Sequence, residues 1–506
     1  MNNVIIKNKE FRGGVILNLV CTVGEHIISG LVAFLLTPYL IKSLGMELYG
    51  LYPIVLEFSA IFGIAFGVIN STSGKYIAVE AEKGSELDAS KYFSSAFYSN
   101  LALASFLSFL MVALAVFSGS LLEIPQGEIN GIRTFMILAF GSVIVDAVTN
   151  AFVSVYFITN RLELRAVAGL SGVGAKAVTL LALFYFFKPS LVSVGVALLL
   201  SSAVIGAVNV IMFVKHSRNI ELSFRLVSPA HIKRLVASGF FYSVNRIASV
   251  LVSGGFLVVA NVLLAPSLSG EYSVAYTFIN AVCGILMTVA GVFVPMNSKH
   301  FARGEGNRLH DGLIRDEKIL GFVAASIFSL SVALGQNFFS LWLGGDATKS
   351  LVNVAFVMLV PILSMSCALP IVNVGMIMNR TRKLSLLFLC GGFLSLATGV
   401  LVASATDFGG VGIAIVSAVS QIIWYSVAVP CFAGRAFSRS PKAFFVPILK
   451  TYLAAAVSLV ASLILCSVCT VGNWLELLIV GSSVAAISFC LSFFVVFKDF
   501  NGFNKG

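Results

Sequence analysis

Residues 15–41 read VILNLVCTVGEHIISGLVAFLLTPYLI. As a helix this run is long enough to cross a bilayer whose hydrocarbon core is about 30 Å thick. Yet Glu25 and His26 lie inside it. A charged side chain at a membrane-helix centre costs about 2.5–3.5 kcal/mol on insertion scales, so such residues face a protein interior or a wet cavity. The polar residues of the run share one side: Asn18, Thr22, Glu25 and Ser29 follow i, i+4, i+7, i+11 spacing. Such a stripe is either a hydrogen-bonded seam between helices or the lining of a polar cavity. On the second reading the rest of the chain builds a cavity of which this span is one wall.

The rest of the chain repeats the first property. Its 506 residues are 58% hydrophobic and 11% charged, with mean hydropathy +0.99, whereas soluble domains carry about 25% charged residues. Fourteen long apolar runs succeed one another, from 15–41 to 474–497, and leave no room for a sizeable soluble domain. The runs do not alternate with a period of two, which argues against a barrel. The expected class is an all-α polytopic membrane protein with about 14 transmembrane helices. The first run is longer than a signal-peptide core and has no small-residue cleavage site, so it reads as a retained helix.

Basic residues sort by loop. The N-terminus and every second loop hold 27 of the 33 Lys and Arg, whereas the alternate loops hold only Lys42, Arg133, Lys188 and Lys349. The positive-inside rule then places both termini in the cytoplasm, and the net charge of +11 needs no nucleic acid to explain it. Trp342 and Trp474 fall at the outer interface on this topology. The outer loops are short, too short for an enzyme acting on that face. The eight cysteines sit in or beside apolar runs, and Cys466-x-x-Cys469 has no partner cluster, so they read as small apolar helix residues.

An internal repeat divides the chain. Residues 49–75 and 272–299 share an aromatic start, a Gly-rich apolar span and a basic exit, and the register pairs Glu57 with Asn280. YFITNRLELR (156–165) matches GMIMNRTRKL (375–384), and VGVA (194–197) matches VGIA (411–414). The offset drifts from 223 through 219 to 217, as a duplication with small insertions and deletions gives. Six spans per repeat is an even number, so two six-helix lobes insert in the same orientation, related by a pseudo-two-fold axis along the membrane normal. The expected parts are an N-terminal lobe (1–218), a cytoplasmic connector (219–236), a C-terminal lobe (237–433), and two further helices with a tail (434–506). The connector mixes apolar and basic residues and reads equally as a segment on the membrane surface or as a solvated link.

Few ionisable residues lie away from span ends: Glu25, His26, Glu57, Asp146, Lys176 and Arg246. The two repeat-opening spans carry Glu25-His26 and Asn245-Arg246 at similar depth, and Ser249 shares the face of the second. An Arg fork suits phosphate because it is bidentate and always charged, and Lys176 supplies a second cation. Structural alternatives stand beside these. Glu25 with Arg246, and Asp146 with Lys176, make sense as ion pairs; Glu57 as a water-facing acid; His26 as a core histidine. The chain has no P-loop, no H-E-x-x-H or Cys/His metal spacing, and no G-x-S-x-G elbow. No catalytic residue, metal or cofactor is therefore expected. Pro361 and Pro370 are expected to bend span 10.

TPYLIKSLGMELYGLYPI (37–54), FFSLWLGGD (338–346) and the Asn-Arg turns at 160–161 and 379–380 resemble the Wzx-type polysaccharide flippases, the polysaccharide transport family of the MOP superfamily that also holds the MATE exporters. The resemblance covers spans 1 to 12; two additional C-terminal spans are also a feature of the lipid II flippase. It implies a MATE-like bundle of two six-helix lobes in the bacterial inner membrane. The implied function is translocation of undecaprenyl-diphosphate-linked oligosaccharide to the outer leaflet for O-antigen, lipopolysaccharide, capsule or exopolysaccharide synthesis. The implied partners are that lipid-linked glycan, membrane lipids, and polymerase or chain-length machinery.

On this reading Arg246 and Lys176 meet the diphosphate, Asn18, Asn245, Asn280 and Ser249 meet sugar hydroxyls, and Glu25, His26, Asp146 and Glu57 serve H⁺ or Na⁺ coupling or gating. These roles derive from position in this sequence, not from a family motif. The runner-up is a MATE-like cation antiporter, which the acids favour and the cations oppose.

Overall fold

The computed structural model describes residues 2–497 apart from 160, 218, 346, 379–381 and 438, with side chains outside the described set also at 2–20, 162, 241–242, 376–377 and 383. Among the described residues the chain is helical, with no strand. Fourteen helical segments are long and apolar enough to span a membrane. In chain order they are α1 (Cys21–Leu44), α2 (Met46–Glu82), α3 (Glu86–Val116), α4 (Ile129–Ile158), α5 (Glu163–Phe186), α6 (Leu191–His216) and α7 (Pro229–Leu263). Next come α8 (Pro266–Ala302), α9 (Gly306–Trp342), α10 (Lys349–Gly375), α11 (Leu384–Ala405), α12 (Gly409–Ala436), α13 (Lys442–Val468) and α14 (Trp474–Phe497). Lipid offers the backbone no hydrogen-bond partners, so apolar runs of this length close their bonds internally as helices. The chain is a multi-pass membrane protein.

Several helices carry breaks. Pro361 divides α10 into Lys349–Leu359 and Ile362–Ile377, whereas Pro370 lies within the second piece. A π-turn, Trp424–Ala428, precedes Pro430 in α12. Within α7 the helix stops at Val252 and resumes at Gly255. In α4 a 3₁₀ turn, Asn150–Val153, interrupts the α geometry.

Two compact units form, Met1–Val250 and Leu251–Gly506. In the first, α1 packs on α2 and α5, α2 on α3 and α4, α3 on α4, and α6 on α4 and α5. In the second, the later half of α7 packs on α8 and α11, α8 on α9 and α10, α9 on α10, and α12 on α10 and α11. Adding six to each helix number converts the first scheme into the second. The duplication expected from the drifting offsets is thus present as a repeated packing order within each unit. The two added helices, α13 and α14, pack on each other and on α9.

The connector of the first unit is captured by serines of α3. Ser90 Oγ accepts from the Glu221 amide (3.0 Å), Ser94 Oγ from Ser223 (3.1 Å) and Ser95 Oγ from Ser228 (3.0 Å). Helix α7 then starts at Pro229, before the apolar run at 237, because its first turns have a polar surface to dock on. His231 meets the Tyr92 ring edge-on at 4.4 Å, and Arg234 donates to Tyr92 Oη (3.2 Å).

Candidate functional site

The first unit holds two adjoining polar cavities. One, of about 690 Å³, lies between α2 and α4 and is lined by Ser59, Asn70, Ser71, Lys75, Asp146 and Asn150, with Arg165 from α5. The other, of about 510 Å³, is lined by Thr22, Glu25 and His26 from α1, Asp146, Thr149 and Asn150 from α4, Arg165 from α5 and Asn209 from α6. Asp146, Asn150, Val153, Phe157 and Arg165 border both.

Helical spacing explains how α4 supplies two groups. Asp146 and Asn150 are four residues apart and share a face. Ser202 of α6 stands beside Asp146. Glu25 is seated against the backbone of α5 at Gly169, where a Cβ would overlap its carboxylate. His26 Nδ1 lies 3.4 Å from Glu25 Oε2, with the imidazole more than half exposed. Buried amides fix the walls. Asn100 donates to Asn70 Oδ1 (2.7 Å), Asn70 donates to the Ala147 carbonyl (3.4 Å), and Tyr156 donates to Asn209 Oδ1 (2.8 Å).

The charges in this space are not neutralised in place. Arg165 and Lys75 are exposed to the cavity, and neither forms a salt bridge among the described residues. Among the described residues Glu25 has the neighbouring imidazole and Asp146 forms no salt bridge. Two unpaired cations, two acids and several amides therefore surround a cavity large enough for a polar ligand. No group of three or more His, Cys, Asp or Glu suited to a metal ion occurs among the described residues.

The sequence-predicted residues divide. Glu25, His26 and Asp146 come together here. Lys176 lies elsewhere on α5, half-buried, donating to Tyr52 Oη (3.3 Å) with its ammonium 6.0 Å from the ring centre. Arg246 is exposed on α7, with Asn245 and Ser249 half-buried beside it; Ser243 of that helix donates to the Ile64 carbonyl of α2 (3.1 Å). Neither expected ion pair, Glu25–Arg246 or Asp146–Lys176, forms among the described residues. Glu57 is half-buried and bonded. Asn280 is exposed on α8 of the second unit. The side chain of Asn18, and Asn160, Asn379 and Arg380 of the paired turns, lie outside the described residues.

Sequence reasoning missed Arg165, Lys75, Asn70, Asn150 and Asn209. Arg165 and Lys75 read as loop charges that set topology. Asn70 stands at the end of an apolar run and Asn150 inside one, and their shared cavity shows only once α2 and α4 are side by side.

Residues 16–301, more than half of the chain, match the polysaccharide biosynthesis protein family. The chain belongs to that family. A Bacillus subtilis (strain 168) relative described as the uncharacterized membrane protein EpsK is 21% identical over 483 residues, covering 94% of each chain. Solved structures of similar fold include an inward-facing multidrug resistance MATE family transporter of the MOP superfamily (TM-score 0.67, 15% identity, 81% of this chain and 94% of that one). Another is the lipid II flippase MurJ in an inward closed conformation (TM-score 0.61, 13% identity, 94% of this chain and 98% of that one). This member of the polysaccharide biosynthesis family thus has the MATE/MurJ-type fold, and the family match takes in α1 to α8 with the whole polar cavity.

Proposed function

We propose that the chain is a flippase that moves undecaprenyl-diphosphate-linked oligosaccharide repeat units from the cytoplasmic to the outer leaflet of the bacterial inner membrane. The product serves surface polysaccharide synthesis, as O-antigen, capsule or exopolysaccharide, in concert with polymerase and chain-length machinery. The observation that carries this reading is the cavity of the first unit. Its unpaired Arg165 and Lys75 suit a diphosphate, because guanidinium and ammonium donors bind phosphate oxygens most strongly where water is scarce. Asn70, Asn150, Asn209 and Ser71 suit the hydroxyls of a glycan. The polyprenyl tail stays in lipid. Arg246 and Lys176 remain candidate diphosphate contacts at other points of the path, with Asn18, Asn245, Ser249 and Asn280 for sugars. Glu25, His26, Asp146 and Glu57 are the candidates for coupling to an H⁺ or Na⁺ gradient by alternating access.

The test is reconstitution of the purified chain in liposomes with a polyprenyl-diphosphate oligosaccharide, whose outward movement is tracked by accessibility to an added glycosidase. Movement that depends on the chain, and a cellular build-up of the lipid-linked unit on the cytoplasmic leaflet when the gene is removed, are the expected results. Arrival at normal rate without the chain or a paralogue would end the reading. Glu25 and Asp146 in the same cavity favour a second reading, a MATE-like antiporter of organic cations. Hypersensitivity to cationic drugs on deletion, with surface polysaccharide intact, would select it.

A further inference from the structure

The second unit contains an acid that the cavity of the first does not use. Glu317 lies on α9, with 0% of its surface exposed, and neither carboxyl oxygen has a hydrogen-bond partner among the described residues. Helices α8, α10, α13 and α14 all pack on α9. From α10 comes Cys367, whose Sγ sits 3.7 Å from the Glu317 carbonyl and 3.3 Å from Thr451 Oγ1 of α13. Thr451 in turn donates to the Pro447 carbonyl (2.8 Å). The adjacent Asp316, equally buried, is committed to other groups: Asn297 Nδ2 of α8 at 2.9 Å and Arg315 Nη2 at 3.3 Å.

Among the described residues no titratable group on these helices forms a salt bridge with Glu317: Arg308 pairs with Glu305, His310 with Asp311, and Glu271 accepts from Thr348. Lys299 of α8 is exposed, and His300 pairs with Glu305 (2.7 Å). On α9 itself Lys318 lines a separate pocket. On α13 Lys450 has its own partner, and Tyr452 stands beside Thr451. On α14 the described titratable residues are Glu476, bonded to the Gly472 amide (2.8 Å), and the exposed Cys490.

A carboxylate removed from water needs a cation or several donors, and without them the group takes up a proton instead. Glu317 has neither, and no metal-binding group of three acidic, His or Cys side chains exists among the described residues. We propose that Glu317 is a proton-binding site, a carboxyl that carries one proton within the α9–α10–α13 core. A route to water lies close by. A pocket of about 350 Å³ is lined by Ile314, Arg315 and Lys318 of α9 with Ala443 of α13 and Phe497 of α14. Ile314 is three residues before Glu317, so the two lie on neighbouring positions of one face. The same pocket carries His310 and Asp311, which pair with each other, and Arg315, which pairs with Asp316. The protonation does not depend on the identity of the cargo; its use in driving transport rests on the flippase reading.

Infrared spectroscopy of the full chain in lipid nanodiscs at neutral pH tests the site. A protonated carboxylic acid gives a carbonyl band separate from that of carboxylates. The expected result is a band present in the wild type, absent in Glu317→Gln and retained in Asp316→Asn. An unchanged band in Glu317→Gln, or loss in Asp316→Asn alone, overturns the proposal. So does failure of Glu317→Gln to fold, since the neutral amide is the closest isostere of a neutral acid and should be accommodated.

Discussion

At the scale of single residues, Gly169 decides where Glu25 can be. Any side chain there pushes on the carboxylate, and overpacking of this kind costs about 1–3 kcal/mol. Gly169→Val should therefore lower thermal stability and transport together. Shortening Glu25 to Ala in the same chain should restore most of the stability and none of the coupling, a non-additivity visible in a double-mutant cycle. Additive losses would show that the two residues do not meet. Arg165 gives a second prediction. It borders both cavities and forms no salt bridge among the described residues. Arg165→Ala should reduce flipping in liposomes at least tenfold, equivalent to about 1.4 kcal/mol. Arg165→Lys should keep part of the rate, because charge survives but the bidentate fork does not. Full activity in Arg165→Ala would remove it from the path.

At the scale of elements, serine hydroxyls hold segments that apolar packing alone would leave loose. Ser94 serves the connector twice, accepting from the Ser223 amide and donating to the Glu221 carbonyl (3.2 Å). Ser94→Ala should speed hydrogen exchange at amide 223 and its neighbours without changing protection in α3; unchanged exchange would mean that the ladder does not hold the connector. A similar ladder joins α13 to α14, with Ser458 Oγ 2.8 Å from Ser492 Oγ and Ser462 Oγ 2.9 Å from Ser488 Oγ. Interhelical bonds of this type average about 0.6 kcal/mol in membranes, so Ser458→Ala with Ser492→Ala should lower the melting temperature only slightly. A large drop would imply a role beyond pairing these helices.

The helices were legible in the sequence, and so were Glu25, His26 and Asp146 as ionisable residues inside apolar runs, where a charge has few places to go; that the three share one space was not, since the sequence set Glu25 opposite Arg246 and Asp146 beside Lys176. It did not announce the serine ladders. A serine in an apolar run reads as a small packing residue, and its bond to a backbone group of a distant segment leaves no pattern. Arg165 and Lys75 were hidden for another reason, since a cation at a span end serves topology and ligand binding with the same residue type.

At the scale of the whole molecule, the repeated packing order assigns α13 and α14 to neither repeat. They cover one flank of α9, where Ala454, Ala455 and Val496 join the core of Leu286, Phe322, Ala325 and Leu363. Truncation after α12 should leave α1–α6 folded and destabilise the second unit, seen as a lower melting temperature and easier proteolysis between 306 and 342. The distribution of basic residues makes a separate prediction. Reporters fused at either terminus should be active on the cytoplasmic side, and a reporter in the 118–131 loop should be active on the other side.

The 3₁₀ turn of α4 has a consequence at this scale. Each 3₁₀ residue advances about 120° around the axis, against about 100° in an α-helix, so four of them shift the angular phase of everything downstream by about 80°. The turn Asn150–Val153 thus acts as a phase offset. Asp146, before it, looks into the cavity, and Tyr156, after it, donates to Asn209, which borders the same cavity. Ten α-helical residues turn through about 1000°, which would leave Tyr156 about 80° out of line with Asp146, whereas the offset brings the sum to about 1080°, three whole revolutions, so the change of winding at the cavity's edge returns the anchor to the phase of the acid.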